Sequence, residues 1–356
     1  MQRNLFRHKT LRTGCLALIL CAVVSGPVFA QLEVPELRER VDRAIERGLE
    51  YLSENQLATG NYPGNHGETA AIPALAGMAF LSVGIVPGEG KYGENVNRII
   101  DYVLSIADER SYLGVKGNGR MYAHSIATLF LSEVSGMVDA RRQEKIDAVL
   151  PGATRILLDA QAVKKIERHR GGWRYEPHSK DSDMSCSGWA LMSLRSARLN
   201  GAAVPIEAIN SAVEYVKRHH DKDQGSFGYQ DGKRNAETLS GAGILCLELC
   251  GEHNDPASLR AARYLSQKYK NLVRNHRGIY GVYYTSQGLF QIGGEHWRNF
   301  AEWMYETWIP RQHPDGSWNK GEENSVPYQT AMVILAFTVP YRQLPIYQRD
   351  ETVDED

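Results

Sequence analysis

Gln224-Gly225-Ser226-Phe227-Gly228 and Asp315-Gly316-Ser317-Trp318-Asn319 are two copies of one turn, and what flanks them decides the fold. Each follows an apolar stretch interrupted by charges and precedes a stretch that is apolar almost throughout. Working outward, the same punctuation recurs at Thr59-Gly60-Asn61-Tyr62, Gly171-Gly172-Trp173-Arg174-Tyr175 and Gly278-Ile279-Tyr280-Gly281, with Ser111-Tyr112-Leu113-Gly114 as a weaker stand-in. Glycine permits a tight backbone path, and the ring beside it packs on the neighbouring unit. These turns therefore staple a repeat together, and a repeat dictates the architecture before any single residue is weighed.

The segments before the turns are marked by Leu49-Glu50-Tyr51-Leu52, Ile100-Asp101-Tyr102-Val103, Arg155-Ile156-Leu157-Leu158, Glu214-Tyr215-Val216, Arg263-Tyr264-Leu265 and Trp303-Met304-Tyr305. The segments after them begin near Thr69, Ser125, Cys186, Thr238, Thr285 and Gln329. Spacings of roughly 45 to 60 residues suit a two-helix repeat with loops of varying length. Charges between the apolar positions of Val41-Asp42-Arg43-Ala44-Ile45-Glu46-Arg47 mark a helix with one wet face, whereas Ala331-Met332-Val333-Ile334-Leu335-Ala336-Phe337 is buried all round. The expectation is an all-α protein of six helical hairpins closed into an α/α toroid. The first helices form an outer ring and the second helices an inner one. A four-helix bundle or an open solenoid is the structural alternative, and six units with buried inner helices favour closure.

The two Gly-Ser-aromatic turns resemble the Q/D-G-S-F/W turns of squalene and oxidosqualene cyclases and of protein prenyltransferase β subunits. At the level of repeat architecture the similarity runs over about the whole mature chain, and it implies a toroid far more than it implies a chemistry. Within that resemblance, Asp181-Ser182-Asp183-Met184 is similar to the DxDD motif with which class II terpene cyclases protonate their substrate. Asp183 falls on the proton donor and Asp181 on the first acid, while Met184 replaces the last. The chain also has one barrel where squalene cyclases have two. Prenyltransferases hold zinc with an Asp, a Cys two residues later and a distant His. Here Asp183 and Cys186 are three apart and Cys246 and Cys250 lie in an apolar helix, so neither a metal nor any other cofactor is expected.

Residues 1–30 have the three zones of an export signal: Arg3, Arg7, His8, Lys9 and Arg12, then an apolar run from Cys15 to Val24, then Val28-Phe29-Ala30. The apolar run is about half of the roughly 20 residues that span a bilayer. The expectation is therefore a cleaved, exported chain, periplasmic or extracellular, without a transmembrane segment in its mature part. The toroid is placed at 31–345 and an acidic disordered tail at 346–356. With 41 basic and 42 acidic residues, no global field selects nucleic acid or an anionic membrane. Two of the five cysteines fall in the signal, and the three that remain exclude a disulfide scaffold.

Closing six pairs gathers the N-termini of the inner helices around one mouth. His66, Glu68, His124, Asp183, Glu237, Tyr284 and Tyr328 stand at or just before those starts. Each acid among them also suits a plain helix cap. As a ring they are candidates for proton handling, because neighbouring ionisable groups shift one another. The catalytic candidates are Asp183, Asp181, Glu237 and His124. The ligand-binding candidates are His66, Glu68, Trp173, Tyr175, Trp189, Tyr284 and Tyr328.

Two functions fit this pattern. One is a cyclase-like toroid that acts on or binds an isoprenoid or other apolar ligand among its aromatic rings. The other is a non-catalytic toroid whose mouth binds a peptide, a glycan or a partner protein, with a polysaccharide-active barrel as a further variant. No G-x-S-x-G, P-loop or dinucleotide fingerprint is present.

Overall fold

The structure, a computed structural model, describes residues 35–63, 69–114, 120–319 and 325–348. The expected export signal, His66, Glu68 and the acidic end beyond residue 348 lie outside the described residues.

Among the described residues twelve α-helices follow one another in six pairs. They are α1 (Pro35–Glu54) with α2 (Ala71–Leu81), α3 (Gly93–Ile106) with α4 (Arg120–Val134), and α5 (Ala140–Ala162) with α6 (Met184–Leu199). The second half pairs α7 (Ile206–Arg218) with α8 (Ala236–Leu249), α9 (Pro256–Lys268) with α10 (Gly278–Ile292), and α11 (Gly294–Trp308) with α12 (Val326–Phe337). The only strands among the described residues are β1 (His220–Asp221) and β2 (Ser226–Phe227), a short antiparallel hairpin inside the fourth turn. Each even-numbered helix packs on the next, and α12 packs back on α2. The ring is closed, as the repeat pattern requires.

The two rings differ as their sequences do. Helix α1 buries one stripe, Val41, Ala44, Ile45, Gly48, Leu49 and Leu52, and leaves its charges outside. Helix α2 buries every residue from Ile72 to Leu81. Side chains such as Leu75 and Phe80 contribute about 1.5–3 kcal/mol each by leaving water.

The staple turns share a latch. The backbone N–H after each turn donates to the inner helix: Trp173 to Ser187 Oγ at 2.9 Å, Phe227 to Ser240 Oγ at 3.0 Å and Trp318 to Thr330 Oγ1 at 3.1 Å. Beside the latch, a glycine presses on the next outer helix. A methyl group on Gly60 would lie 2.0 Å from the Arg98 carbonyl oxygen, one on Gly171 2.1 Å from that of Ser211, and one on Gly316 2.3 Å from that of Arg47. A glutamine amide ties the same junction. Gln161 Nε2 donates to the carbonyls of Gly171 and Ala208, and Gln312 Nε2 to those of Gly316 and Ala44. The last unit thus grips the first with the parts that join its interior neighbours.

The fifth unit departs from the pattern. Gly278-Ile279-Tyr280-Gly281, expected as a turn, forms the first turn of α10 instead. Glycines are needed there for another reason: α8 and α10 meet backbone to backbone, and a methyl group on Gly241 would lie 2.5 Å from Thr285 N.

The toroid also extends past residue 345. Ile346 is fully buried and Tyr347 nearly so, because Arg195 donates to the carbonyls of Ile346 and Gln348, Glu133 accepts from Ile346 N, and Tyr347 and Tyr283 join hydroxyls. These partners sit on α4, α6 and α10, so residues 344–348 form a strap across the end of the barrel where the inner helices finish. The expected boundary at 345 therefore falls short of the packed chain, which runs at least to Gln348.

Candidate functional site

With one end strapped, interest falls on the end where the inner helices begin. Asp183 caps α6 and is 0 % exposed. Its Oδ1 accepts from Cys186 N at 2.9 Å and Ser185 Oγ at 2.5 Å, and its Oδ2 pairs with Arg174 at 2.7 Å. A carboxylate so engaged acts as an acceptor on both oxygens. Held on both oxygens, it organises the mouth.

Arg174 is the hub of the cluster. Its Nε lies 3.2 Å from Asp181, it donates to the Tyr229 hydroxyl, and its guanidinium stacks 4.2 Å from the Tyr175 ring centre. Burial works against its charge, yet the hydrogen bonds with Asp183 and Tyr229 hold its pKa above the ordinary arginine value. The Tyr175 and Tyr229 hydroxyls bond to each other, Tyr122 of α4 stacks 6.0 Å from Tyr175, and Arg234 lies over the Tyr229 ring at 4.7 Å. Tyr175 is 36 % exposed, and Tyr122, Tyr229, Tyr280 and Tyr328 are half-buried. These five tyrosines come from five successive units, and burial raises the pKa of Tyr122, Tyr229, Tyr280 and Tyr328. The four therefore stay neutral at ordinary pH and offer O–H groups beside aromatic faces.

Below them the barrel axis is filled. Trp189 of α6 stacks on Tyr283 of α10 at 5.5 Å and meets Tyr284 at 5.6 Å, although α8 separates these helices in the ring. All three side chains are buried, and Tyr347 joins them from the strapped end. The result is a tyrosine-lined bowl on a solid floor.

The sequence-derived candidates divide accordingly. Asp183, Asp181 and Tyr175 come together, and Tyr328 belongs to the same rim. Trp189 and Tyr284 are floor. Trp173 is a latch whose Nε1 donates to the Leu157 carbonyl at 2.8 Å, so its ring packs between helices instead of meeting a ligand. His124 is wholly buried, accepting from Leu113 N at 3.1 Å on Nδ1 and facing the Ala153 carbonyl at 3.0 Å on Nε2, and this leaves neither nitrogen free to move a proton. It takes the place that a serine or threonine holds in the sister units. Glu237 turns outward to Asn271 at 2.7 Å, since the first turn of α8 presents that position to the outer ring. His66 and Glu68 lie outside the described residues.

Arg174, Tyr122, Ser185 and Arg234 were missed. A buried acid at the head of an apolar helix needs a cation, but the sequence does not single out Arg174, because Lys180 stands nearer to Asp183 along the chain. Among the described residues no three His, Cys, Asp or Glu side chains gather as metal ligands. Cys186, Cys246 and Cys250 are free thiols whose pKa burial pushes up, that of Cys250 to about 12. Among the described residues no helix is long and apolar enough to cross a membrane.

No family model and no curated protein matches the chain. Solved structures do match it in fold. The apo type II terpene cyclase MstE from Scytonema is 14 % identical, with a TM-score of 0.54, over 87 % of this chain and 100 % of that one. An inactive variant of the α-1,6-mannanase GH76A of Salegentibacter sp. HEL1_6, in complex with α-1,6-mannotriose, is 12 % identical, with a TM-score of 0.58, over 85 % and 99 %. A reducing-end-xylose releasing exo-oligoxylanase complexed with xylose is 12 % identical, with a TM-score of 0.52, over 90 % and 96 %. Together they show that the chain has the α/α-toroid fold, shared by terpene cyclases and carbohydrate-active enzymes alike.

Proposed function

We propose that this toroid is a saccharide-binding protein, with the bowl around Tyr175 and Tyr229 as its binding site. The observation that carries this reading is the contrast between rim and axis. Half-exposed tyrosines bracketed by arginines suit a sugar, whose C–H faces stack on rings while its hydroxyls bond to phenols and charged groups. An isoprenoid needs a deep apolar cavity, and the space on the axis is taken by Trp189, Tyr283, Tyr284 and Tyr347. Fold neighbours are in complex with mannotriose and xylose and also with geranylgeranyl dihydroxybenzoate and merosterolic acid A, so the choice rests on the rim and the filled axis.

Binding, not hydrolysis, is the reading the carboxylates favour. Hydrolysis of a glycosidic bond uses two acids on either side of it, whereas Asp181 and Asp183 converge on one guanidinium. The test is calorimetric titration of the protein with neutral and acidic oligosaccharides, and with geranylgeranyl diphosphate and squalene in detergent. Saturable sugar binding that weakens at least about tenfold in Tyr175→Ala or Tyr229→Ala is expected, as for loss of an aromatic anchor. Saturable isoprenoid binding without any sugar binding would overturn the reading.

A further inference from the structure

The charge around the bowl narrows the ligand further, on the assumption that the saccharide reading above is correct. Four consecutive inner helices each bring an arginine to the mouth. Arg120 is the first residue of α4, Arg174 lies in the turn before α6, Arg234 stands just before α8, and Arg277 caps α10. Each stands within a few residues of a rim tyrosine: Tyr122, Tyr175, Tyr229 and Tyr280.

Two of these charges are already answered within the protein. Arg174 is held by Asp181 and Asp183, and Arg120 lies 3.6 Å from Glu176 in an exposed pair. Arg234 and Arg277 are different. Both are exposed, and among the described residues neither has a carboxylate within ion-pair distance. The acid nearest to Arg234 in sequence, Asp231, is turned into its own loop, accepting from the backbone N–H groups of Lys233 and Arg234 at 3.0 and 2.8 Å. Arg234 is nonetheless aimed, with its guanidinium over the Tyr229 ring, and Arg277 stands at the head of α10, three residues before Tyr280, where its charge also opposes the burial that raises the Tyr328 pKa. Two guanidinium groups thus stand at the mouth near Tyr229 and Tyr280 without a counter-charge among the described residues.

The hydroxyls of Tyr280 and Tyr284 are buried and turn to each other, with ring centres 4.9 Å apart, so they close the floor beneath the arginines. An unpaired guanidinium held over a phenol ring fits an oxygen-rich anion, since Arg recognises carboxylate and sulfate through paired N–H donors. We infer that the ligand of this mouth is an acidic saccharide, one whose sugar rings stack on Tyr175 and Tyr229 while its carboxylate or sulfate groups meet Arg234 and Arg277.

The test uses the full chain and matched pairs of oligosaccharides of equal length: glucose against glucuronate, galactose against galacturonate, mannose against mannuronate, each with a 6-sulfated form of the neutral member. In at least one pair the acidic member is expected to bind about tenfold tighter or more, with the advantage shrinking as salt rises. Arg234→Gln and Arg277→Gln each weaken the acidic ligand about fivefold and the neutral one little, as expected when a charge-assisted bond is lost. The sulfated arm tells carboxylate from sulfate as the source of the anion. Equal binding of neutral and acidic members overturns this inference and leaves the saccharide reading intact. Equal binding of polyglutamate overturns it as mere charge attraction. Binding of no sugar in any pair overturns both.

Discussion

Gly316 presses on the backbone carbonyl of Arg47, so that the last turn of the chain and the first helix meet where a methyl group would lie 2.3 Å from the oxygen. Gly316 also has φ +89°, a left-handed conformation. Gly136, with φ +84° and open space around it, shares the conformation without the contact. Gly136→Ala should lose only the left-handed strain, about 1–2 kcal/mol. Gly316→Ala should lose a further 1–3 kcal/mol or so for overpacking against α1. Urea unfolding of both variants checks this, and equal losses would mean that the closing contact is loose.

In the second unit the same junction is built the other way round. Ser111 takes the positive φ, at +67°, and α5 supplies the glycine: a methyl group on Gly152 would lie 2.6 Å from Ser111 Oγ. Gly152→Ala alone is expected to destabilise by roughly 1–3 kcal/mol through that clash. Adding Ser111→Gly removes the side-chain clash and the strain, leaving a tight 3.1 Å approach to the Arg110 carbonyl oxygen, while the helix gains an alanine, so the double variant should be about 1 kcal/mol more stable than the parent. A double-mutant cycle reads the coupling directly, and simple additivity would deny the exchange of sizes.

Asp183 is buried whereas Arg174 keeps some contact with water, so the two are unequal partners. Asp183→Asn retains a capping oxygen but leaves the Arg174 charge partly unanswered, and a loss of about 3 kcal/mol is expected. Arg174→Met strands the carboxylate and should cost at least as much. Combining the two should recover part of the loss, because a neutral pair has no charge to strand. Thermal unfolding followed by circular dichroism measures all three, and a double variant worse than the sum would show that the pair does not act as a pair.

His124 makes stability depend on pH in a defined direction. Burial is the main cause that lowers its pKa to about 4 from 6.5 in a free chain, so between these values the unfolded state binds more protons. Its contribution is complete above pH 6.5 and is lost as pH falls toward 4, about 3 kcal/mol across the window. His169, His219 and His220 are lowered too and act in the same direction. His124→Ser, the residue type of the sister latches, should therefore flatten the acid limb of a melting-temperature profile relative to the parent. An unchanged limb would assign the acid sensitivity to the other three.

Much of the site stayed hidden from sequence because helix position alone does not say which way a residue faces. His124, Asp183 and Glu237 all stand at the heads of inner helices, and in sequence they look equivalent. Once folded, one fastens a turn, one holds an arginine and one leans on the outer ring. Arg174 became visible only when the turn that bears it was folded over the cap of α6.

The sequence by itself determined the toroid. Period and polarity are local properties, so a charged-faced helix, a glycine-aromatic turn and an all-apolar helix, repeated six times, leave burial of the inner ring as the arrangement that keeps apolar surface from water. Tertiary structure alone decided what the barrel contains. Trp189 meets Tyr283 across the axis and Tyr347 plugs the far end through contacts between residues far apart in the chain, and no periodicity records which side chains will meet in the middle. That filling moved the candidate site from a deep cavity to the rim.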